Sequence, residues 1–446
     1  MARQGTVQTK YLIIGNSAGG IGAVEAIREV DRTGSITIVS DEPYPAYSRP
    51  LISKYLAGER TLDGMLFRTP DFYQRNSVTT LLGVRVATLL VEDRTAELDN
   101  GRRIVWEKLL IAAGGAPIVP PIEGKHKQGV FSFNTLADAR AIDGSLEQVE
   151  KAVVIGGGLI GVSVTEALVK RGVSVSVVER ESRILNTILD ERASRIAEDA
   201  LRKAGVTIID GSTAAEVLGR ETVTGVVLDS NAMLPCGLVV VAVGVSPRLD
   251  LVEGTGIKVN RGILVDRTMA TTCPDVYACG DVAEAHDVVY GTNRVTPTWP
   301  NAYMSGRTAG RNMAGVETHY PGGISMNSLS YFGLDITAAG LTVPPEGNGY
   351  RVLSRHGDSQ YRSVVLRDGC VVGMICVGDI ERSGILCSLI REAMPLQGLD
   401  EELLADDFGL VSLPRALWEG QLTALTGKSV AEETERHHPE EYVSGE

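Results

Sequence analysis

Two glycine clusters in this 446-residue chain have the residue types and spacing that cradle a pyrophosphate. In AVVIGGGLIGVSVTEALVKRGVSVSVVER, Gly156, Gly158 and Gly161 form a complete GxGxxG. The first glycine permits a tight turn, the second lets a phosphate approach bare backbone, and the third lets a helix pack on the preceding strand. Leu159 and Ile160 then open the helix whose N-terminal N–H groups face the anion. Glu179 ends the next strand 21 residues past Gly158, about where a ribose-binding acid belongs. Such an acid accepts from both ribose hydroxyls and repels a 2′-phosphate, which favours NAD(H) over NADP(H). Arg180 and Arg183 follow closely and would blunt that preference.

The other cluster, in YLIIGNSAGGIGAVEAIREVDRTGSITIVSDE, has Gly15 and Gly20 but Ser17 in the middle position. Serine adds a Cβ where the pyrophosphate passes, yet its hydroxyl can donate to a phosphate. Ala18 and Gly19 follow, the glycine adding slack. Asp41, 21 residues past Gly20, is the ribose candidate, with Glu42 as the alternative.

Both clusters need the same support: apolar strand, turn, helix, apolar strand, acid. Each segment has that βαβ plan. Repetition at roughly 140 residues predicts two nucleotide-binding domains in one chain. Between them, the run from Val78 to Gly115 reads as short strands with an Asn-Gly hairpin turn. LDERASRIAEDALRKAGV is an amphipathic helix ending at Gly205. From about Ser325 to Leu413 a third module of strands is expected, with an Asp-Gly turn in YRSVVLRDGCVVGMICVGD and a helix around ILCSLIREAM. The last stretch is polar and reads as a loose tail. His437 and His438 in it have no third ligand nearby and read as solvated.

The length calls for two or three domains. A formal net charge of -13 argues against a nucleic-acid or anionic-membrane surface. No run is long and apolar enough for a membrane span, and MARQGTVQTKYLIIGNSAGG lacks a signal-peptide pattern, so a cytoplasmic location is expected. The six cysteines, Cys236, Cys273, Cys279, Cys370, Cys376 and Cys387, match no zinc or iron–sulfur spacing and read as buried thiols. No metal site is expected.

Further stretches resemble one family. LLIAAGGAPIVPPIEG, with Ala113 and Gly114, resembles the strand-and-crossover motif of flavoproteins that bind two dinucleotides. LVVVAVGVSPRLDLVEG, with Gly244, resembles the second such motif, and VYACGDVAE and TPTWPNAYMSGRTAGRNMAG resemble the turn and helix that follow. From about residue 10 to 320 the chain is identified as similar to FAD-dependent pyridine nucleotide oxidoreductases. Within them it resembles nitrite reductase large-subunit FAD domains, rubredoxin and ferredoxin reductases, and FAD subunits of multi-subunit aldehyde or 2-oxoacid dehydrogenases. The resemblance implies an α/β fold of two Rossmann-like domains in the glutathione-reductase arrangement, plus a C-terminal α+β domain. The expected division is 1–117 with 248–324 for FAD, 118–247 for NAD(H), 325–415 as an interface domain, and 416–446 as tail.

The resemblance further implies that FAD takes the first unit and NAD(H) the second. Asp281 would bond the ribityl chain, with Gly280 allowing the turn. Arg49 and Lys54, in PAYSRPLISK, match FAD contacts. Trp299 matches an aromatic beside the isoalloxazine, and next to Pro297 and Pro300 it reads equally as a core residue. Elementary physics agrees for PAYSRPLISK: Pro50 suits a first helical turn, Ser48 would cap it, and such an N-terminus beside Arg49 would attract an anion. In relatives a Glu two residues past the third glycine often pairs with the lysine matching Lys54, but here Val162 and Ser163 follow Gly161. An unpaired Lys54 would place more positive field on the flavin; Glu166, a turn beyond Ser163, is the possible substitute.

No cysteine precedes Cys236. Disulfide and cysteine-dependent peroxide chemistry needs a sulfur against the flavin, so both are disfavoured. With no cluster ligands of its own, the chain is expected to move hydride between NAD(H) and FAD, and electrons between FAD and an iron–sulfur partner protein or subunit. The alternatives are a self-contained NADH oxidase or quinone reductase, and a flavin-bearing redox-sensing protein. The acidic charge fits a built-in subunit of a larger complex better than a freely diffusing reductase of an acidic ferredoxin, since like charges slow encounter. A homodimer is the other assembly expected.

Overall fold

The computed structural model describes residues 5–413, apart from 348, 358–359, 397, 399–401, 406–407 and 410–411. The tail, with His437 and His438, lies outside the described residues. Three sheets organise the chain.

The first is built on Thr6–Ile14, whose residues Tyr11, Leu12 and Ile13 are wholly buried. Parallel partners flank it: Ile36–Ser40 and then Val78–Leu82 on one side, Arg103–Ile111 on the other. Val276–Ala278, far later in the sequence, also pairs in parallel with Arg103–Ile111. Continuous apolar strands of this kind belong in a sheet covered on both faces. The helices Ala18–Val30 and Trp299–Met313 pack closely against one another, and a Cβ on Gly306 would lie 2.1 Å from the Gly19 carbonyl oxygen.

The second sheet is parallel throughout, in the order Thr207–Ile209, Ser174–Val178, Lys151–Ile155, Leu238–Val241, Val130–Ser132. Helix Leu159–Lys170 follows its glycine turn. The expected amphipathic helix runs Glu191–Lys203, capped by the Asp190 side chain on the Ala193 N–H. The two stretches that connect this unit to the first, Gly115–Pro117 and Val245–Pro247, pair antiparallel.

The third sheet has five antiparallel strands, ordered Met326–Tyr331, Leu334–Gly340, Cys370–Val377, Tyr361–Arg367, Tyr350–His356. Asp368 and Gly369 both have positive φ, 53° and 76°, the conformation a tight hairpin needs. Helix Ser383–Glu392 buries Leu386, Leu389 and Ile390 in the same apolar cluster as Val364 and Met374. Among the described residues, no helix is long and apolar enough to cross a membrane, and no His, Cys, Asp and Glu grouping would hold a metal ion.

Candidate functional site

One cleft of about 1410 Å³ opens at the carboxyl ends of the parallel strands of the first two sheets, where such folds bind ligands. All three units line it. The first contributes the Gly15–Gly19 turn, Asp41, Glu42, residues 49–54, Ala113, Gly114, Gly280, Asp281 and Trp299. The second contributes Gly156, Gly158, Leu159, Ile160, Glu179, Arg180 and Gly244, and the third its edge strand from Met326 to Tyr331. The expected site residues from both glycine units therefore share one space, except Gly20 and Gly161, which lie against the Gly15 and Gly156 oxygens and are not in its lining.

At the first turn, Gly15 has φ +118°, and a Cβ there would lie 2.1 Å from the Ala112 oxygen. Ser17 occupies the N-cap position of Ala18–Val30 but its side chain makes no capping bond, which leaves the hydroxyl for a phosphate. The two acids differ in commitment. Glu42 accepts from Arg49 at 2.5 Å with Oε1 and from the Tyr47 hydroxyl at 2.5 Å with Oε2. Asp41 accepts Arg248 at 2.7 Å with Oδ2 alone. Asp41 thus keeps more acceptor capacity, which favours it over Glu42 for a ribose.

The second turn is more open. Gly156 has φ +106°, and a Cβ on Gly161 would lie 1.9 Å from its oxygen, whereas a Cβ on Gly158 would meet nothing within 4 Å. Gly158 is bare backbone facing space. Glu179 is held across the turn, accepting the Gly157 N–H at 2.6 Å and the Glu181 N–H at 2.9 Å. The two arginines expected to blunt its selectivity sit differently. Arg180 is exposed and pairs with Glu181 at 2.9 Å, and Arg183 is absent from the cleft lining.

PAYSRPLISK departs from the single helix start expected of it. Arg49–Leu51 is a 3-10 turn with Pro50 in its first turn, as anticipated, and Ile52–Leu56 is a separate short helix. Ser48 makes no side-chain cap; its carbonyl accepts the Leu51 N–H. Arg49 is one of the two cations of the segment. Burial works against that charge, but Glu42, Tyr47 and Asp281 outweigh it and hold the guanidinium above its ordinary range. Its other branch donates to the Asn134 oxygen at 2.9 Å.

Lys54 is paired, which overturns the expectation of a bare cation. Its Nζ lies 3.3 Å from Glu166 Oε2 and 3.5 Å from Glu59 Oε2. Helical geometry is the reason: Glu166 stands one turn beyond Ser163, on the same face of Leu159–Lys170. The added positive field argued for a lone Lys54 does not apply.

Asp281 sits in the 3-10 turn Gly280–Val282, with Gly280 at φ +71°. Burial pushes its carboxyl up, Arg49 opposes, and among the described residues it accepts no hydrogen bond. A hydroxyl-bearing ligand would supply the missing donor. Trp299 opens its helix, stacks edge-on with Phe67 at 5.0 Å and lines the cleft; it is only partly buried, so it is not the core residue that was the other reading of it. Bare Gly158, the tight glycine turns and unpartnered Asp281 fit two dinucleotides. Arg248 and Cys279 also line the cleft and were not expected there, and the strand Met326–Tyr331 brings the expected interface module to it. Arg248 lies within the second crossover motif and Cys279 directly precedes Gly280, positions that were usable signals.

A family model described as pyridine nucleotide-disulphide oxidoreductase matches residues 9–306, and one described as the rubredoxin NAD+ reductase C-terminal domain matches 326–394. The chain is 32% identical over 403 residues to the NADH-dependent phenylglyoxylate dehydrogenase subunit epsilon of Aromatoleum evansii, covering 89% of this chain and 95% of that one. It is 31% identical over 386 residues to the nitrite reductase [NAD(P)H] of Bacillus subtilis, covering 86% of this chain but only 47% of the longer protein. Among solved structures, NADH:rubredoxin oxidoreductase from Clostridium acetobutylicum superposes with a TM-score of 0.71 at 26% identity, covering 88% of this chain and 97% of that one.

Proposed function

The chain belongs to the pyridine nucleotide-disulphide oxidoreductase family and is an FAD- and NAD(H)-dependent oxidoreductase; from that premise we propose that it passes electrons between FAD and an iron–sulfur partner protein or subunit without a redox-active cysteine. The observation that carries this reading is the thiol content of the shared cleft. Cys279 is its one cysteine among the described residues, wholly buried, with its thiol pushed far up by burial. A thiol held protonated is a poor nucleophile. The rubredoxin NAD+ reductase match over 326–394, and a relative named as an NADH-rubredoxin oxidoreductase, support a metalloprotein as acceptor.

FAD, when bound, supplies the exchange between hydride and single-electron chemistry. The protein's part is to hold and orient. In this reading the Gly15–Gly20 and Gly156–Gly161 turns take the two pyrophosphates on bare backbone and helix starts. Asp41 takes the FAD ribose, Asp281 the ribityl hydroxyls, and Glu179 the NAD ribose. Arg49, Lys54 and Trp299 surround the flavin, and Ala113, Gly114 and Gly244 form the crossovers between the sites. Residues 1–117 and 248–324 form the FAD domain, 118–247 the NAD(H) domain and 325–415 the C-terminal domain that closes one side of the cleft.

Rapid mixing of the holoenzyme with NADH is the test. The expected result is fast loss of flavin absorbance, negligible turnover with oxygen alone, and turnover when an oxidised rubredoxin or [2Fe–2S] ferredoxin is added. Sustained turnover with oxygen alone would make it a self-contained oxidase. Slow or absent bleaching would favour a redox-sensing protein.

A further inference from the structure

Glu166 is only 7% exposed, and charge meets both of its oxygens. Oε1 accepts the Phe332 N–H at 3.0 Å and lies 3.1 Å from Lys170 Nζ; Oε2 lies 3.3 Å from Lys54 Nζ. Glu59 bridges the same two lysines, at 3.5 Å to Lys54 and 2.6 Å to Lys170. Two lysines and two carboxylates thereby close a ring between the short helix Ile52–Leu56 and the longer helix Leu159–Lys170.

The oxygens divide their partners. Oε1 is anchored to its own helix through Lys170 and to the C-terminal sheet through Phe332. Oε2 is left to Lys54. Glu59, the lysine's other partner, has a side chain 39% exposed, against 9% for Glu166, so solvent screens Glu59 far more. Ser163 lines the same cleft but spends its hydroxyl on the Leu159 oxygen at 2.8 Å. A buried carboxylate persists only where it is paired and hydrogen-bonded, and the one lysine of the ring that lines the cleft is Lys54.

We propose that Glu166 is a positioning residue for Lys54, fixing the ammonium against the flavin from one helical turn beyond Ser163, with the C-terminal sheet holding Glu166 in place through the Phe332 N–H. The proposal rests on the placement of Lys54 beside the flavin. Helix Leu159–Lys170 starts at the Gly158 turn, so one rigid element carries both the nucleotide phosphates and the carboxylate that aims the lysine.

The test is a double-mutant cycle on the holoenzyme with Glu166→Gln, Lys54→Met and their combination. Two quantities are read: the rate constant of flavin reduction at saturating NADH, and the flavin midpoint potential. Glu166→Gln is expected to slow reduction by roughly 10- to 100-fold, the loss that a misplaced group causes. It is expected to shift the potential, and to leave NADH half-saturation nearly unchanged. On the Lys54→Met background it should change neither quantity. Ser163→Glu added to Glu166→Gln should restore most of the rate by returning a carboxylate to the same helix face. If Glu166→Gln loses FAD, Glu166→Asp takes its place in the cycle. Wild-type behaviour of Glu166→Gln, or equal effects with and without Lys54, would overturn the proposal. Wild-type behaviour of Lys54→Met would overturn the flavin-side placement of Lys54 as well, which separates the two failures.

Discussion

Arg248 and Asp41, 207 residues apart in the chain, meet at 2.7 Å on the rim of the cleft. Arg248 lies where the chain returns from the second sheet to the first, and its backbone N–H donates to the Gly114 oxygen at 3.0 Å. Asp41 closes the strand–turn that reads as the FAD ribose site. In the proposed reading the ion pair presets the carboxylate that takes the adenosine ribose of the cofactor. Both side chains are about one-third or more exposed, so the pair itself adds little stability. Its effect is expected in cofactor retention. Asp41→Asn should weaken FAD binding about tenfold, the value of one hydrogen bond to a charged group, and Arg248→Ala by severalfold. Titration of apoprotein with FAD, followed by flavin fluorescence, checks this. Wild-type affinity in both variants would remove Asp41 from the ribose site.

Glu179 is proposed as the selectivity residue in the second turn. Its two backbone bonds, to Gly157 and Glu181, fix the carboxylate where a 2′-phosphate would have to sit. Arg180 cannot offset it while its guanidinium is turned to Glu181. Glu179→Ala should therefore raise the KM for NADH and lower that for NADPH, shifting the ratio of kcat/KM values by at least roughly tenfold. Steady-state kinetics with both nucleotides is the measurement, and an unchanged ratio would falsify this role.

Asp31 sets a pH-dependent part of the fold's stability. Its carboxylate accepts from Lys10 at 2.7 Å and from the Gly34 and Thr33 N–H groups, which together hold it far below the usual carboxylate range. The Lys10 bond is the largest cause. With the folded value depressed, the stabilisation is complete above the unfolded value near pH 4 and is lost as pH falls toward the folded value. Asp31→Asn should cost about 1 kcal/mol at neutral pH, discounted for the half-exposed lysine. Denaturant melts of variant and wild type should converge as pH drops below 4. A constant gap across that range would show that Asp31 acts through packing instead.

What the sequence made legible is what local geometry enforces. The Gly15 and Gly156 turns, the helix Glu191–Lys203 and the Asp368–Gly369 hairpin each depend on a few neighbouring residues, and each was readable from the sequence, whereas the Asp190 cap was not read. Glu166 was half-legible: its helical offset from Ser163 follows from the sequence, but the Lys54 nitrogen reaches it only through the packing of two distant helices. Arg248–Asp41 and the approach of Met326–Tyr331 to the cleft depend on how whole domains dock, for which no local pattern exists. Ser48 was misread because a cap serves an α-helix start, and the chain instead breaks into a 3-10 turn before Ile52.

Cys279 separates thiol chemistry from electron transfer most directly. Its side chain is wholly buried, and a Cβ on Gly19 would lie 2.7 Å from its sulfur, so the thiol fills the space that Gly19 leaves beside the first turn. Burial pushes the thiol up, which in the proposed reading makes it packing and not a nucleophile. Cys279→Ala should then leave the rate of flavin reduction by NADH within about threefold of wild type and lower stability by about 1 kcal/mol for the lost sulfur. Iodoacetamide should leave the folded holoenzyme active, since the sulfur is out of reach. Stopped-flow reduction and a melting curve on the same preparation give both values. A loss of roughly 10³-fold or more in reduction rate with FAD still bound would be the size expected for a missing chemical group, and would return the protein to thiol-dependent catalysis.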